Sequence, residues 1–443
     1  MMETTPPPSK KVLNRARLNF GLVNILSSGD EGAFSPFHTV IIRALGGGDT
    51  HLGFIGGVMS SLPGMFAWLG AIILRMVGYN RRALMGTMFF GCVVQCGLIV
   101  LLVLAAKHFE WAIYLLYSYL GLITLTCIFA GAGGTITMSW IGDLVPVRQR
   151  GWFVSGMSIL SNAGLVVFQF LFAQLATKAH GFMGYAALVA LCCATTFVAV
   201  LLCLTIPDRK TQAMKFVSSD PSERVDYWYR PLWLLVWFEC AWRIGRISMA
   251  AFTTAYLLDY FGLKLDRIIL IYMLVNVVNI FMLYVAGNLS DRIGNRYPLA
   301  IVTCVCAASM LLWVGSAWWG VWAVIAYQII NGMAGSTHWM LLTNLSLQVY
   351  PPKGRANFLS FSRTFVGVMG LAGSTAAGYF LASMRGWSIN LWGADFNYYH
   401  VFFLGCTIFT FTCMIPLWFL GKMVMPDHDE PTGDSTRSAE GAA

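Results

Sequence analysis

The chain has 443 residues, of which 57% are hydrophobic and 11% are charged, and its formal net charge is +9. Soluble globular domains contain about 25% charged residues, so this composition, with a mean hydropathy of +0.66, indicates a membrane protein and excludes an ordinary soluble domain. All 11 cysteines fall in apolar stretches, which excludes a secreted disulfide scaffold. The basic residues are spread between apolar stretches, unlike the clustered patch of a nucleic-acid-binding protein.

Apolar stretches long enough to cross a bilayer as helices recur along the whole chain. The first is long and contains polar residues, and it lacks a small-residue cleavage site, so we expect no cleavable signal peptide. The pattern predicts an all-α polytopic membrane protein with twelve transmembrane helices. The predicted spans are 18–45, 52–74, 84–106, 112–140, 152–176, 182–206, 232–259, 268–288, 298–316, 320–345, 357–382 and 400–421.

The distribution of Lys and Arg predicts the orientation. Twelve spans place both termini on one side of the membrane, and twenty basic residues lie in the termini and in the connections on that side. Cytoplasmic loops carry the excess of Lys and Arg, so both termini are predicted to be cytoplasmic, in a multi-pass protein of the cytoplasmic (inner) membrane. The six basic residues of the opposite side are Arg43, Lys107, Lys178, Lys264, Arg267 and Arg385.

A polar stretch in the middle of the chain divides it into two halves of six predicted helices. The predicted organisation is a cytoplasmic tail at 1–17, a helical bundle at 18–206, a cytoplasmic linker at 207–231, a second bundle at 232–424 and a disordered cytoplasmic tail at 425–443.

The longest outer connection, at 385–399, is rich in aromatic residues. It has two interpretations: an aromatic belt at the membrane interface, or a lid over an outward-facing cavity. The aromatic residues are Trp387, Trp392, Tyr398 and Tyr399.

Short polar motifs recur in corresponding loops of the two halves. The segment G-N-L-S-D-R-I-G-N-R, from Gly287, resembles the G-x-x-x-D-R-x-G-x-[RK] signature of the major facilitator superfamily. The segment from Asp143 to Gly151 resembles that family's D-x-x-P-x-x-x-R-G signature. The resemblance extends over essentially the whole chain and implies two pseudo-symmetric six-helix bundles around a central site, the arrangement of a secondary transporter.

The resemblance also implies a gating latch, in which a loop aspartate pairs with an arginine and caps a neighbouring helix. In the first-half copy of the loop the acidic position is Leu74. Either the gate of that half is loosely held, or Asp143 takes the place of the missing carboxylate. The predicted latch residues are Asp143, Arg150, Asp291, Arg292 and Arg296.

Polar residues of the first span fall on one helical face. Asn24, Glu31 and His38 recur at seven-residue spacing, together with three serines. Charged groups at bilayer depth are costly and mark functional sites, and Glu31 lies near mid-membrane. Asp30 points about 100° away from the stripe, so Glu31 is the favoured carboxylate of the pair.

The seventh span carries Glu239, Arg243 and Arg246 on one face. Glu239 and Arg243 are four residues apart and are predicted to pair within the helix. In the family's arrangement the first and seventh helices face each other across the cavity, so Arg246 is predicted to contact Glu31. That pair is either a structural link between the halves or the site of substrate or proton coupling.

Further polar residues are candidates for the cavity. For the amides, hydrogen bonding between helices is as good an interpretation as ligand contact. For the histidines, the alternative to a role in proton transfer is a packing role in the helix bundle. Arg363 can instead extend its side chain towards the membrane interface. These candidates are Asn162, Gln169, Asn276, Asn279, Asn331, His338, Trp339 and Arg363, and His38 shares the alternative interpretation.

The resemblance and these residues predict a secondary active transporter that works by alternating access, with proton-coupled symport of a small organic solute such as a sugar or an organic acid. The alternative is proton-driven efflux of a drug or metabolite, although the family's fifth-helix G-P-x-x-G-G antiporter signature is missing. A non-transporting sensor is a distant alternative, and the scattered histidines argue against an enzyme. The sequence lacks a nucleotide-binding P-loop, so nothing in it supports ATP-driven transport. The expected partners are the solute and the bilayer, with a monomeric chain, no nucleic acid, no metal and no cofactor; a proton gradient, or alternatively sodium, would drive transport.

Overall fold

The computed structural model describes residues 10–28, 35–145, 150–176, 181–208, 228–293, 296–349 and 355–423. Nearly all of these residues are helical. The helices are α1 (Lys10–Ser28), α2 (Ser35–Ala44), α3 (Asp49–Met65), α4 (Ala67–Val77), α5 (Asn80–Lys107), α6 (Ala112–Leu144), α7 (Arg150–Ala176), α8 (Gly181–Cys203), α9 (Arg230–Trp242), α10 (Ser248–Asp259), α11 (Leu265–Ile293), α12 (Arg296–Trp319), α13 (Val321–Val349), α14 (Arg355–Ser383), α15 (Tyr398–Phe411) and α16 (Met414–Met423), with a short 3₁₀ turn at Phe109–Trp111 and a π-helical turn at Arg243–Ile247.

Within the described residues, eight helical segments are long and apolar enough to cross a membrane, and α3 with α4 form a ninth that is bent by 44°. Pro63 lies in the last turn of α3, where it removes a backbone donor, and the bend follows at Phe66. These segments confirm a multi-pass helical protein. The count of twelve spans stays a prediction, because the first predicted span includes residues 29–34, which the structure does not describe, and the seventh and tenth do not pass the same criteria.

The connection at 385–399, which is predicted to lie on the outer side, contains a short β-hairpin that was not predicted from the sequence. Strand β1 (Ser388–Leu391) pairs antiparallel with β2 (Ala394–Asn397), and Leu391 faces Ala394 across the turn. Trp392 and Gly393 both have positive φ, as a two-residue hairpin turn of type I′ requires. Of the four aromatic residues there, Trp387 and Trp392 are exposed, whereas Tyr399 is fully buried. The belt therefore describes only part of this loop.

The closest contact between the first and second halves of the chain is made by α3 and α14. Ser374 Oγ donates to the carbonyl of Gly53 at 2.7 Å. A Cβ atom on Gly53 would lie 2.9 Å from the Cα of Gly378, so only glycine lets the backbones approach this far. A second contact between the halves joins α7 to α11. The predicted domain boundary at 207–231 stays a prediction, since residues 209–227 lie outside the described part.

The buried apolar residues show how the halves meet. One large cluster contains residues of α2, α3, α5–α8 and α10–α15, and Phe37 and Phe252 both belong to it. A second cluster, around Leu232, contains described residues of α9, α12–α14 and α16, with Cys413 beside them. A third, around Leu74, contains described residues of α1 and α4–α8, with Val145 and Ile206 beside them. Among the described residues, the halves therefore share one core at the end marked by Phe37 and have separate cores at the opposite end.

A substitution tests the α3–α14 contact. Gly53→Ala places a methyl group against the backbone of α14, and overpacking of this kind costs roughly 1–3 kcal/mol. We expect a lower apparent melting temperature and a lower yield of monodisperse protein. The matched control is Gly91→Ala in α5, where no atom lies within 4 Å of the added Cβ. Equal thermal stability of the two variants would contradict the close contact.

Candidate functional site

A cavity of about 260 Å³ lies between the two halves. Its walls come from α2 and α7 of the first half and from α10–α13 and the π-helical turn of the second. Mostly apolar cavities with a few converging polar groups are the usual form of a small-molecule site. The polar lining residues are Gln169, Arg246, Thr253, Thr254, Tyr272, Asn276, Gln328 and Asn331, and the apolar and aromatic ones include Pro36, Leu165, Val275, Trp313 and Tyr327.

The π-helical turn Arg243–Ile247 positions the cationic group of the cavity. This turn interrupts the regular α-helix that was predicted over 232–259, and π-turns within helices occur frequently at functional sites. Arg246 donates from Nη2 to Asn331 Oδ1 on α13. Its guanidinium carbon lies 5.0 Å from the centre of the Trp242 ring, within cation–π range. The arginine is therefore oriented by two elements of the second half.

Two further hydrogen-bonded groups complete the polar lining. Asn276 Nδ2 on α11 donates to Gln169 Oε1 on α7 at 2.9 Å, which joins the two halves within the cavity wall. The Tyr272 hydroxyl lies 2.6 Å from that of Thr253 and 3.3 Å from that of Thr254. These groups satisfy one another, so a solute meets a preformed surface here.

A larger crevice of about 970 Å³ lies between α3, α6 and α14. It is lined mostly by apolar groups, and Tyr117 and Tyr379 at its wall are exposed. No Lys, Arg, Asp or Glu lines it among the described residues. The smaller cavity, with Arg246 and four side-chain amides, is the stronger candidate for solute binding.

Comparison with known proteins decides the family. The family model of the Major Facilitator Superfamily matches residues 20–374, which is most of the chain. The chain belongs to the major facilitator superfamily. No curated protein matches the chain significantly.

Solved structures of facilitators share the fold at low sequence identity. A D-xylose-proton symporter is 13% identical with a TM-score of 0.70, and the match covers 94% of this chain and 97% of that one. A mutant of the nucleoside transporter NupG is 10% identical with a TM-score of 0.66, covering 91% and 99%. A bacterial homologue of the iron transporter ferroportin, in an inward-facing state, is 14% identical with a TM-score of 0.63, covering 92% and 98%. Family and fold identify this facilitator as a transporter and not an enzyme.

The predicted pair of Glu239 with Arg243 is not formed. Within the described residues no ion pair within 4 Å involves Glu239, and Arg243 Nη1 instead donates to the carbonyl of Ser60 on α3 at 2.8 Å. The prediction assumed that two side chains four residues apart turn towards each other. The Arg243 side chain extends to the first half, because Ser60 offers a carbonyl acceptor at the contact with α14. Glu239 is half-buried on α9.

Four of the predicted cavity residues line the cavity: Gln169, Arg246, Asn276 and Asn331. Other candidates lie elsewhere. His38 is buried and hydrogen-bonds through Nδ1 to the Tyr119 hydroxyl at 2.6 Å, and His338 stacks on Trp242 with ring centres 3.8 Å apart. Asn162 donates to the carbonyl of Ser158 in its own helix, and Asn24 lies half-buried on α1. Asn279 Oδ1 is buried and has no hydrogen-bond partner among the described residues. Trp339 and Arg363 are exposed.

Several predictions fall on residues or side chains that the structure does not describe. Asp30 and Glu31 lie outside the described residues, so the contact of Glu31 with Arg246 stays a prediction. The same holds for the side chains of the latch residues Arg150, Asp291, Arg292 and Arg296. Asp143 is described, and its Oδ2 accepts a hydrogen bond from Asn80 Nδ2 at 2.8 Å.

The polar and aromatic cavity residues that were missed from the sequence include Thr253, Thr254, Trp313, Tyr327 and Gln328. A usable signal existed only for Gln328. It lies three residues before Asn331, which is on the same face of a helix one turn away. Threonine and aromatic residues are common on all faces of membrane helices, so their presence alone does not indicate a cavity.

A cluster of charges joins the halves at the end where they share one core. Arg43 Nη2, at the end of α2, lies 2.5 Å from Asp49 Oδ1 on α3 and 3.0 Å from Asp259 Oδ2 at the end of α10. The Tyr399 hydroxyl on α15 donates to Asp259 Oδ2 at 3.0 Å. Arg43 therefore binds one carboxylate from each half, and this cluster links the halves at that end.

Removal of the Asp259 carboxylate tests whether this cluster holds the two halves together. The Asp259 side chain is 41% exposed, so its bond to Arg43 is worth at most about 1 kcal/mol, or roughly fivefold in a conformational equilibrium. In Asp259→Asn we expect normal folding and a larger population with the ends of α2 and α10 apart. Bio-orthogonal spin labels at Ala44 and Lys264 measure that distance. Glu110→Gln, which breaks only the exposed pair with His108, is the control. An unchanged distance distribution in Asp259→Asn would show that the bond from Arg43 to Asp259 does not hold the halves together.

Proposed function

We propose that this facilitator is a secondary active transporter of twelve transmembrane helices, in two six-helix bundles, that works by alternating access. One observation carries the proposal: in the part of the chain that the structure describes, the halves share a single apolar core and the Arg43 cluster at one end, and have separate cores at the other. A structure closed at one end and divided at the other is one of the two states that rocking of the halves requires.

The orientation follows from the basic residues. With both termini in the cytoplasm, Arg43 lies at the outer side and the separate cores lie at the inner side. The described conformation is then the inward-facing state, and the cytoplasmic membrane is its location. The loop with Asp291, Arg292 and Arg296 would latch the inner side when the transporter turns outward, with Asp143 and Arg150 acting in the first half.

The lining and size of the cavity support the proposal that the solute is a small organic molecule, a sugar or an organic acid. Its amides, hydroxyls and Trp313 suit hydrogen bonding and ring contact, and its volume of about 260 Å³ suits a compact molecule. We propose proton-coupled symport, with Glu31 as the first carboxylate to carry the proton and with Asp30 and Glu239 as alternatives. The chain is proposed to work as a monomer in the bilayer without a metal or cofactor.

Uptake into proteoliposomes tests transport and its coupling. With labelled xylose, glucose, glucuronate and lactate as probes, we expect accumulation of at least one solute that requires an acidic exterior. Glu31→Gln should abolish accumulation and spare exchange down a solute gradient, since a neutral side chain cannot carry the proton. Glu110→Gln is the control. Accumulation that is independent of the pH gradient would refute proton symport, and accumulation retained in Glu31→Gln would refute its role.

Labelling of an introduced cysteine tests the orientation. In a Cys96→Ser, Cys304→Ser background, which removes the two exposed native thiols, Ser218→Cys should resist an impermeant thiol reagent in intact cells. Ser388→Cys, in the exposed β1 strand, should react readily. The reverse pattern would invert the topology and place the Arg43 cluster on the cytoplasmic side.

A further inference from the structure

The described lining of the cavity carries charge of one sign. Among the described residues that line it, Arg246 is the one with a formal charge, and no described carboxylate accompanies it. A cation within a membrane protein is costly unless an anion or water compensates it. The described ion pairs belong to Arg43 and to His108, neither of which lines this cavity.

Arg246 is oriented, but some of its N–H donors have no hydrogen-bond partner among the described residues. The guanidinium group has five N–H donors in a planar fork. One nitrogen bonds to Asn331 Oδ1 and another lies 3.9 Å from the Cys306 sulfur, a weak acceptor. Trp242 supports one face of the group. Such a fixed fork matches the two oxygens of a carboxylate in geometry and charge.

A second donor in the cavity wall is unused. Gln328 is 2% exposed, lines the cavity, and its Nε2 has no hydrogen-bond partner in the described structure. Gln328 and Asn331 lie three residues apart on α13, so the amide is one helical turn from the group that orients Arg246. A buried unsatisfied donor is costly, and an acceptor on a bound solute would remove that cost.

The remaining polar groups do not balance these donors. Gln169 accepts from Asn276, and the hydroxyls of Thr253, Thr254 and Tyr272 engage one another. A neutral sugar hydroxyl needs both a donor and an acceptor, whereas a carboxylate needs donors alone. The unused capacity of the cavity is therefore that of an anion site.

We propose that the cavity binds a small organic carboxylate, with its oxygens on the Arg246 guanidinium and Gln328 Nε2 and its carbon body against Val275 and Trp313. This proposal rests on the proposed transport function and narrows its solute class to organic anions. It differs from an ion pair that only links the halves, because it requires the arginine and the glutamine together.

Matched solutes separate charge from shape. The purified full-length protein in detergent is titrated with glucuronate against glucose, with lactate against lactamide, and with inorganic phosphate, while intrinsic tryptophan fluorescence and thermal unfolding are measured. We expect saturable binding of at least one carboxylate, with at least about tenfold weaker binding of its neutral partner. Preference for the neutral partner, binding of phosphate alone, or no binding across the set would overturn the carboxylate class.

Variants assign the contacts. Arg246→Gln should weaken carboxylate binding by roughly 10- to 100-fold, and Gln328→Leu should weaken it by about tenfold. Arg246→Lys should retain part of the binding affinity. The control is Gln95→Leu, which removes an equally buried glutamine outside the cavity. Full affinity in Arg246→Gln or in Gln328→Leu would overturn the site. Carboxylate binding without accumulation in proteoliposomes would instead refute the transport function and leave the site intact.

Discussion

The contact between α3 and α14 is the constraint on which the rest of the structure depends. In a membrane, helices gain little from hiding apolar groups from lipid, so their association relies on close packing and hydrogen bonds. Gly53 supplies both, because its missing side chain lets Ser374 reach its carbonyl at 2.7 Å. The two halves are held together along this line, so a rocking motion of the halves would pivot around it.

The polar groups near this contact divide between holding the halves and facing the cavity. Arg43, at the end of α2, binds a carboxylate from each half, and Arg243 binds the Ser60 carbonyl on α3. Both are links between the halves. Arg246, three residues after Arg243, instead points to Asn331 within its own half. The π-helical turn accounts for the difference, since it shifts the angular spacing of the side chains that a regular helix would keep on one face.

The membrane class, the apolar spans that the structure describes and the family could be predicted from the sequence, because hydropathy and loop motifs report directly on the lipid environment and on helix ends. Four cavity residues were also predicted, since amides and arginines at bilayer depth are rare enough to be informative. The Arg43 cluster, the Arg243–Ser60 bond and the β-hairpin were not predicted. Each depends on which faces of distant helices meet, or on backbone conformation at Trp392, and a helical pattern read from one chain contains neither.

The cavity and the outer hairpin belong to one hydrogen-bonded unit of the second half. The backbone N–H of Asn397, at the end of β2, donates to His400 Nδ1, so that nitrogen is an acceptor and Nε2 is the protonated one. Nε2 then donates to the Tyr256 hydroxyl at 2.8 Å, and Tyr256 in turn lies 2.7 Å from the Ser316 hydroxyl. Ser316 donates to the carbonyl of Trp313, which forms part of the cavity wall. Because every link in this chain lies within the second half, it would move as a rigid body with that half. A change of state would then act on the hydrogen bonds that cross between the halves, such as those of Arg43 to Asp259 and of Asn276 to Gln169.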